Sequence, residues 1–297
     1  MLSNTCYSLL LIEGKEDEFL RFRALLADRP GKEYRLRRVR TVESAETLIL
    51  ESGPHSFDLC LLADDAGDDD NLEFISAHSM DSEFPPMALL TRQTNPDLEQ
   101  LALDAGAMDC LQTSELSPAL VERSIRYCIA QHSAKLELVK LATTDPLTGI
   151  LNRRTLYDLG DKEFDRATRY GHPLSLVLIG VDHFRDVNDT FGYQVGDKVL
   201  NSVVSTVLAA IRETDIFGRF GGSEFLLILP HTDLKGASLL AERLGIDIQG
   251  QPVIHDGAVI DISLSCGVCA LSDQVEFFDE LIVAADRALY RQEPGVS

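Results

Sequence analysis

Short apolar runs of strand length alternate with segments of helical spacing over the first 125 residues or so, and that alternation admits few architectures. Residues 8–12, 35–39, 59–63, 86–91 and 108–111 read as strands. Residues 19–26, 42–50 and 96–105 carry apolar side chains at helical spacing, and a long helix starts at Pro118. Strands separated by helices imply a parallel sheet covered on both faces, because each parallel connection needs a crossover. A run as apolar as Leu59-Cys60-Leu61-Leu62-Ala63 belongs to a strand buried on both sides. The acidic residues Asp64, Asp65, Asp68, Asp69 and Asp70 read as a solvated loop.

The rest of the chain has a different order. Helices are expected at 153–170, 194–211, 234–244 and 277–290, and strands at 174–181, 253–254 and 259–268. A strand–turn–strand is centred on Gly221-Gly222. With 297 residues, and roughly 150 per domain, two domains follow. Asp145-Pro146 should stop the long helix, since proline disfavours a helical residue before it. The expected division is a first domain at 1–125, a connecting helix at 126–142 and a second domain at 143–297. Ile125, Ile129, His132, Leu136 and Val139 follow the 4-3-4-3 spacing of a coiled-coil seam, which suggests a homodimer.

Charge narrows the partners. Lys plus Arg number 27 against 48 Asp plus Glu, a net charge of -21. Nucleic acid and anionic lipid are repelled by such a chain, whereas a few placed arginines suffice for a small anionic ligand. No apolar run approaches the ~20 residues of a membrane helix, and no basic residue precedes the short apolar stretch at the start, so no membrane insertion and a cytoplasmic location are expected. Cys6, Cys60, Cys110, Cys128, Cys266 and Cys269 sit in apolar stretches and read as buried thiols. Cys266 and Cys269 form a CxxC within a strand, where residues three apart face opposite sides, so no zinc or redox centre is expected.

Leu89-Leu90-Thr91 and Ala105-Gly106-Ala107-Met108-Asp109, together with the strand–helix order, resemble the receiver domains of response regulators. The resemblance implies a flavodoxin-like, doubly wound parallel sheet and metal-assisted phosphoryl transfer to an aspartate. The chemistry is not kept. Glu13 takes the first acidic position but Gly14 the second, and Ala63 stands where the phosphoacceptor belongs. Asp64 is one residue on and points to the other face. Thr91 remains, and Thr113 replaces the expected lysine. A pseudo-receiver that docks or dimerises is the expectation.

Residues 143–293 resemble GGDEF domains, which make cyclic di-GMP from two GTP molecules. The residues that carry this are Asp145-Pro146-Leu147-Thr148-Gly149, Asp182-His183-Phe184, Asn188-Asp189, Gly192, Gly196-Asp197, Gly221-Gly222-Ser223-Glu224-Phe225 and Ala285-Asp286-Arg287-Ala288-Leu289-Tyr290. The implied fold has a central mixed, mainly antiparallel sheet. The resemblance assigns Asn188 and Asp197, with Phe184, Gly221 and Gly222, to a guanine pocket, here vestigial; Tyr193 replaces the usual histidine. The first metal-binding aspartate falls at Gly180, the acidic third position of the hairpin at Ser223, and the phosphate-binding lysine at Glu293. Asp182 and Glu224 are the remaining, weak metal candidates, because serine is a poor Mg²⁺ ligand.

Arg212-Glu213-Thr214-Asp215 lies before the hairpin at the spacing of the family's RxxD inhibitory site, and Arg243 falls where a partner arginine is common. Alone, an Arg and Asp three apart are often a surface ion pair. In this position a guanidinium fork suits a guanine edge or a phosphate, and a carboxylate suits guanine N–H groups. The expected function is a catalytically inactive, cyclase-like signalling protein that binds cyclic di-GMP and regulates an unknown protein partner, with no cofactor required. GTP and Mg²⁺ are secondary ligands. The alternatives are a nucleotide-independent scaffold, a GTP sensor, and a residually active cyclase using Ser223, Glu224 and Asp182.

Overall fold

The computed structural model describes residues 5–27, 32–64, 69–92 and 95–290. The chain forms two compact units, residues 1–138 and 139–297.

The first unit runs β1 (Thr5–Ile12), α1 (Glu16–Ala27), β2 (Lys32–Val39), α2 (Val42–Ser52), β3 (Leu59–Ala63), α3 (Asp69–His78), β4 (Met87–Thr91), α4 (Pro96–Ala105), β5 (Asp109–Gln112) and α5 (Pro118–Thr143). Its strands pair in the order β2-β1-β3-β4-β5, all parallel. Alternate residues of each strand supply two cores. Leu10, Ile12, Cys60, Leu62 and Leu89 pack under Ala45, Ile49, Phe74, Ile75 and Ala102 of α2, α3 and α4. Leu9, Leu11, Leu59, Leu61, Leu90 and Leu111 pack under Phe22 and Leu26 of α1 and Val121, Ile125 and Cys128 of α5. Each such leucine or isoleucine contributes about 1.5–3 kcal/mol on burial.

Two expectations change here. The acidic run is not a plain loop: Asp64 is buried at the end of β3, and α3 begins at Asp69 with Asp70 in its first turn, where a carboxylate complements the helix dipole. Asp65 and Asp68 lie outside the described residues. The expected coiled-coil seam is not free along its whole length: Ile125 is buried and Ile129 packs in the unit's own core, while Val139 is 42% exposed. Two positions further along, about 200° around the helix, Tyr127, Leu138 and Leu141 are exposed, the leucines at 68% and 62%.

The second unit runs α6 (Arg153–Tyr170), β6 (Leu174–Val181), α7 (Phe184–Phe191), α8 (Tyr193–Ala210), β7 (Ile216–Gly221), β8 (Glu224–Pro230), α9 (Leu234–Gln249), β9 (Val253–His255), β10 (Ala258–Ile260), β11 (Leu264–Ala270) and α10 (Phe278–Tyr290). Its sheet has the order β11-β6-β8-β7 and is antiparallel throughout; the parallel contact is an isolated bridge, Leu151 to Gly218. One face packs Val177, Ile179, Phe225 and Leu227 against α8 and α9. The other packs Leu176, Leu178, Leu226 and Ile228 against Leu156 and Phe164 of α6 and Leu281, Ala285 and Leu289 of α10.

The expected strand at 259–268 is two strands. β10 turns back on β9 through Asp256-Gly257, both at positive φ, the two-residue turn such a hairpin favours. The chain then leaves that hairpin and β11 pairs with β6. The cysteines are not uniformly buried either: Cys6 is exposed and Cys110 and Cys269 are half-buried. Cys266 joins one core of the second unit and Cys269 the other, and burial pushes their thiols up to about 12 and about 11. No helix among the described residues is long and apolar enough to cross a membrane.

Candidate functional site

The β7–β8 hairpin carries the glycine pair. Gly221 pairs with Glu224, and Gly222 sits in the turn at φ +30°. The hairpin is held from beneath by Arg219. Its Nη1 donates to Asp145 Oδ1 at 3.0 Å and Oδ2 at 3.1 Å, while Nε and Nη2 donate to the Gly222 carbonyl at 3.1 and 2.7 Å. One planar fork thus ties the loop after α5 to the turn. Burial pushes the Asp145 carboxyl up, but the Thr148 hydroxyl and amide and the Arg219 guanidinium outweigh it and hold it below the usual range.

Beside the hairpin, the residues do not fit a pair of metal-binding carboxylates. Gly180 stands opposite Glu224 on β8 and Ser265 on β11. Asp182 turns toward β11: Ser263 Oγ donates to its Oδ2 at 2.6 Å and Ser265 Oγ to its Oδ1 at 2.7 Å. Its backbone N–H donates to the Ser263 carbonyl. A carboxylate with both oxygens engaged by hydroxyls on a neighbouring strand is a structural anchor. Glu224 is left as the acidic side chain on the hairpin, beside Ser223. Among the described residues no group of three His, Cys, Asp or Glu could hold a metal ion. Glu293 lies outside the described residues.

The guanine-type residues lie on α7 and α8. Asn188 packs against Gly196 so closely that a Cβ there would meet Asn188 Oδ1 at 2.0 Å and Phe184 Cζ at 3.2 Å. Asn188 Oδ1 is buried and has no hydrogen-bond partner, and a buried acceptor left unmade costs about 1–3 kcal/mol. Asp197 and Tyr193 are exposed on α8.

The RxxD segment forms the turn between α8 and β7. Asp215 N–H donates to the Arg212 carbonyl at 3.1 Å, and Arg212 N–H donates to Asp215 Oδ2 at 2.8 Å. The turn leaves the Arg212 side chain exposed, and Asp215 Oδ1 buried with no partner. Arg243 of α9 reaches the same end of α8, its Nη2 donating to the Ala210 carbonyl at 2.7 Å. Arg243 also lines an open groove of about 370 Å³ with Ser205, Thr206, Ala210, Asp247 and Gln251. Arg219, Ser263 and Ser265 were not singled out by sequence. Arg219 lies 74 positions from Asp145, and no local spacing pairs them.

A profile of the diguanylate cyclase GGDEF domain matches residues 142–295. Response regulator PleD of Caulobacter vibrioides is 32% identical over 254 residues, covering 82% of this chain and 55% of PleD; the chain therefore spans about half that relative's length. Among solved structures, the coiled coil and GGDEF domain of DgcB from Caulobacter crescentus, in complex with c-di-GMP, is 25% identical with a TM-score of 0.54, covering 59% of this chain and 93% of that one. Diguanylate cyclase SiaD from Pseudomonas aeruginosa, in complex with its activator SiaC, is 34% identical with a TM-score of 0.50, covering 58% of this chain and 66% of that one.

Proposed function

The chain belongs to the diguanylate cyclase GGDEF family, and we propose that it acts in it as a receptor for cyclic di-GMP rather than as a cyclase. The observation that carries this reading is the contrast between two ends of one sheet. Around Gly180 and Ser223 the acidic ligands are gone and Asp182 is engaged by serines. At the α8–β7 turn, Arg212 is exposed, Asp215 keeps an unpartnered buried oxygen and Arg243 stands beside the turn. The relative DgcB is a GGDEF protein solved with c-di-GMP. Arg212 and Arg243 would engage the ligand's phosphates or guanine edge, and Asp215 Oδ1 would accept from guanine N–H groups.

Calorimetric titration of nucleotide-stripped chain with cyclic di-GMP tests this. Micromolar or tighter binding is expected, weakened about 10–100-fold by Arg212→Ala, as befits loss of hydrogen bonds to a charged group. Absence of binding to folded protein would end the receptor reading.

Asn188 Oδ1, buried and unpartnered, favours a second reading, in which GTP or another guanine nucleotide occupies that pocket without turnover. Lack of competition between GTP and cyclic di-GMP would mark two separate sites.

The output is a change in what the chain presents to a protein partner. SiaD, a relative, is solved in complex with a protein, its activator SiaC. We place self-association on the exposed Tyr127, Leu138 and Leu141 face of α5. Leu138→Glu with Leu141→Glu should convert a dimer to a monomer in sedimentation analysis, because two buried charges at each leucine position oppose pairing. A wild-type chain that is monomeric at all concentrations would remove this element of the proposal.

A further inference from the structure

In a doubly wound sheet, ligands sit at the carboxyl ends of the strands where the strand order reverses. Here that point lies between β1 and β3. The side chains that follow these strands are Glu13 and Asp64, with overall exposures of 5% and 8%. Thr91, at the same edge of β4, is 1% exposed, and its hydroxyl is hydrogen-bonded to the Cys110 thiol. A receiver would hold a divalent cation at this edge, and the residues present do not fit one. The second acidic position is Gly14 and the acceptor position is Ala63. Glu13 Oε1 already accepts from the Lys15 backbone N–H at 2.8 Å. Two carboxylates, one of them with an oxygen already engaged, are a poor site for a hard cation that takes six oxygen ligands.

Glu13 is nonetheless a buried carboxylate and needs a counter-charge. Arg92, the residue after β4, places Nη2 3.4 Å from Glu13 Oε1. Arg38 on β2 fastens the same loop from the other side: Nε donates to the Glu13 carbonyl at 2.7 Å, Nη2 to the Gly14 carbonyl at 2.8 Å, and Nη1 meets the Glu16 carboxylate.

We propose that the Arg92 guanidinium is a built-in counter-cation for Glu13, standing where a receiver holds a dissociable metal ion, so that the first unit keeps one state whatever the divalent cation concentration. A domain whose charge balance is covalently supplied has no metal to lose and no acceptor to modify. It serves as a fixed module, and the ligand-dependent input is left to the second unit. The proposal does not depend on cyclic di-GMP binding.

Hydrogen exchange of the full chain, read on peptides covering residues 12–16, tests it with and without 10 mM (about ten times a millimolar-affinity Mg²⁺ site) MgCl₂ after dialysis against EDTA. Wild-type exchange at these residues should be the same in both. Arg92→Gln leaves a buried carboxylate unpaired and should speed exchange there about tenfold or more. Glu13→Gln combined with Arg92→Gln removes both charges and should restore most of the protection, even if Arg92→Gln alone fails to fold. Arg92→Lys keeps the charge and should stay within a few-fold of wild type. Mg²⁺-dependent protection in the wild type would overturn the proposal. So would a double variant no better protected than Arg92→Gln, or an Arg92→Gln chain indistinguishable from wild type.

Discussion

Incubated with GTP and Mg²⁺, the chain is expected to form cyclic di-GMP at least about 10⁴-fold more slowly than a cyclase with both metal-binding carboxylates, as loss of the ion removes the main stabilisation of the transferring phosphoryl group. The expected deficit is chemical and not steric. A Cβ at Gly180 would meet nothing nearer than Leu289 Cδ2 at 3.6 Å, ordinary contact. Gly180 lies directly across from Glu224, and Ser223 precedes Glu224 in the turn, so two aspartates introduced at 180 and 223 would flank that carboxylate.

Gly180→Asp or Ser223→Asp alone should restore nothing measurable, because groups that hold one ion act as a unit. Together they should make the unfolding midpoint rise with Mg²⁺, as any ion that binds only the folded state requires. Without Mg²⁺ the double variant should be less stable than wild type, since two new carboxylates crowd Glu224. Turnover should need Glu293→Lys as well, to return a cation to the phosphates. Chromatography of the nucleotide product over time is the measurement. Time-dependent product from the wild-type chain would overturn the receptor-only reading and favour an active cyclase.

The parallel sheet is legible because β1, β3 and β4 carry short apolar runs bounded by turn residues. β3 and α4 follow the expected limits to the residue. What stayed hidden depends on partners distant in sequence. Only the start of the expected seam on α5 fails, because Ile125 and Ile129 have coiled-coil spacing whether they meet a second helix or their own sheet, and spacing alone does not say which. α7 was missed since Phe184–Phe191 is short and polar. α3 was hidden behind an acidic run, although acids are what a helix start favours. The break between β10 and β11 is hidden because Val259 to Val268 is apolar enough for one strand.

At the site, positions read from motifs gave residue types but not their engagements. Asp182 looks like a spare metal ligand in sequence; only the strand pairing of β11 with β6 brings Ser263 and Ser265 to it. Arg219 reads as an ordinary strand cation until Asp145 is placed beneath it.

Gly267→Ala is expected to lower the stability of the second unit by about 3 kcal/mol or more, the upper end of overpacking costs, whereas Gly245→Ala should raise it by about 0.5–1 kcal/mol. Gly267 is in the middle of β11, where α10 crosses the strand. A Cβ there would lie 2.0 Å from the Ala285 carbonyl oxygen and 2.5 Å from the Leu289 backbone nitrogen. These are backbone atoms of a helix, which no side-chain rotation can move aside. α10 must lift, and Leu281, Ala285 and Leu289 then lose contact with Leu176 and Leu178 of β6. Gly245, inside α9, has nothing within 4 Å of such a Cβ, so alanine there adds no clash and removes freedom from the unfolded chain. In thermal unfolding, at about 2–4 °C per kcal/mol for a domain of this size, the first variant should melt roughly 6–12 °C lower and the second a few degrees higher. Equal midpoints for the two would show that α10 yields more readily than its packing on β11 implies.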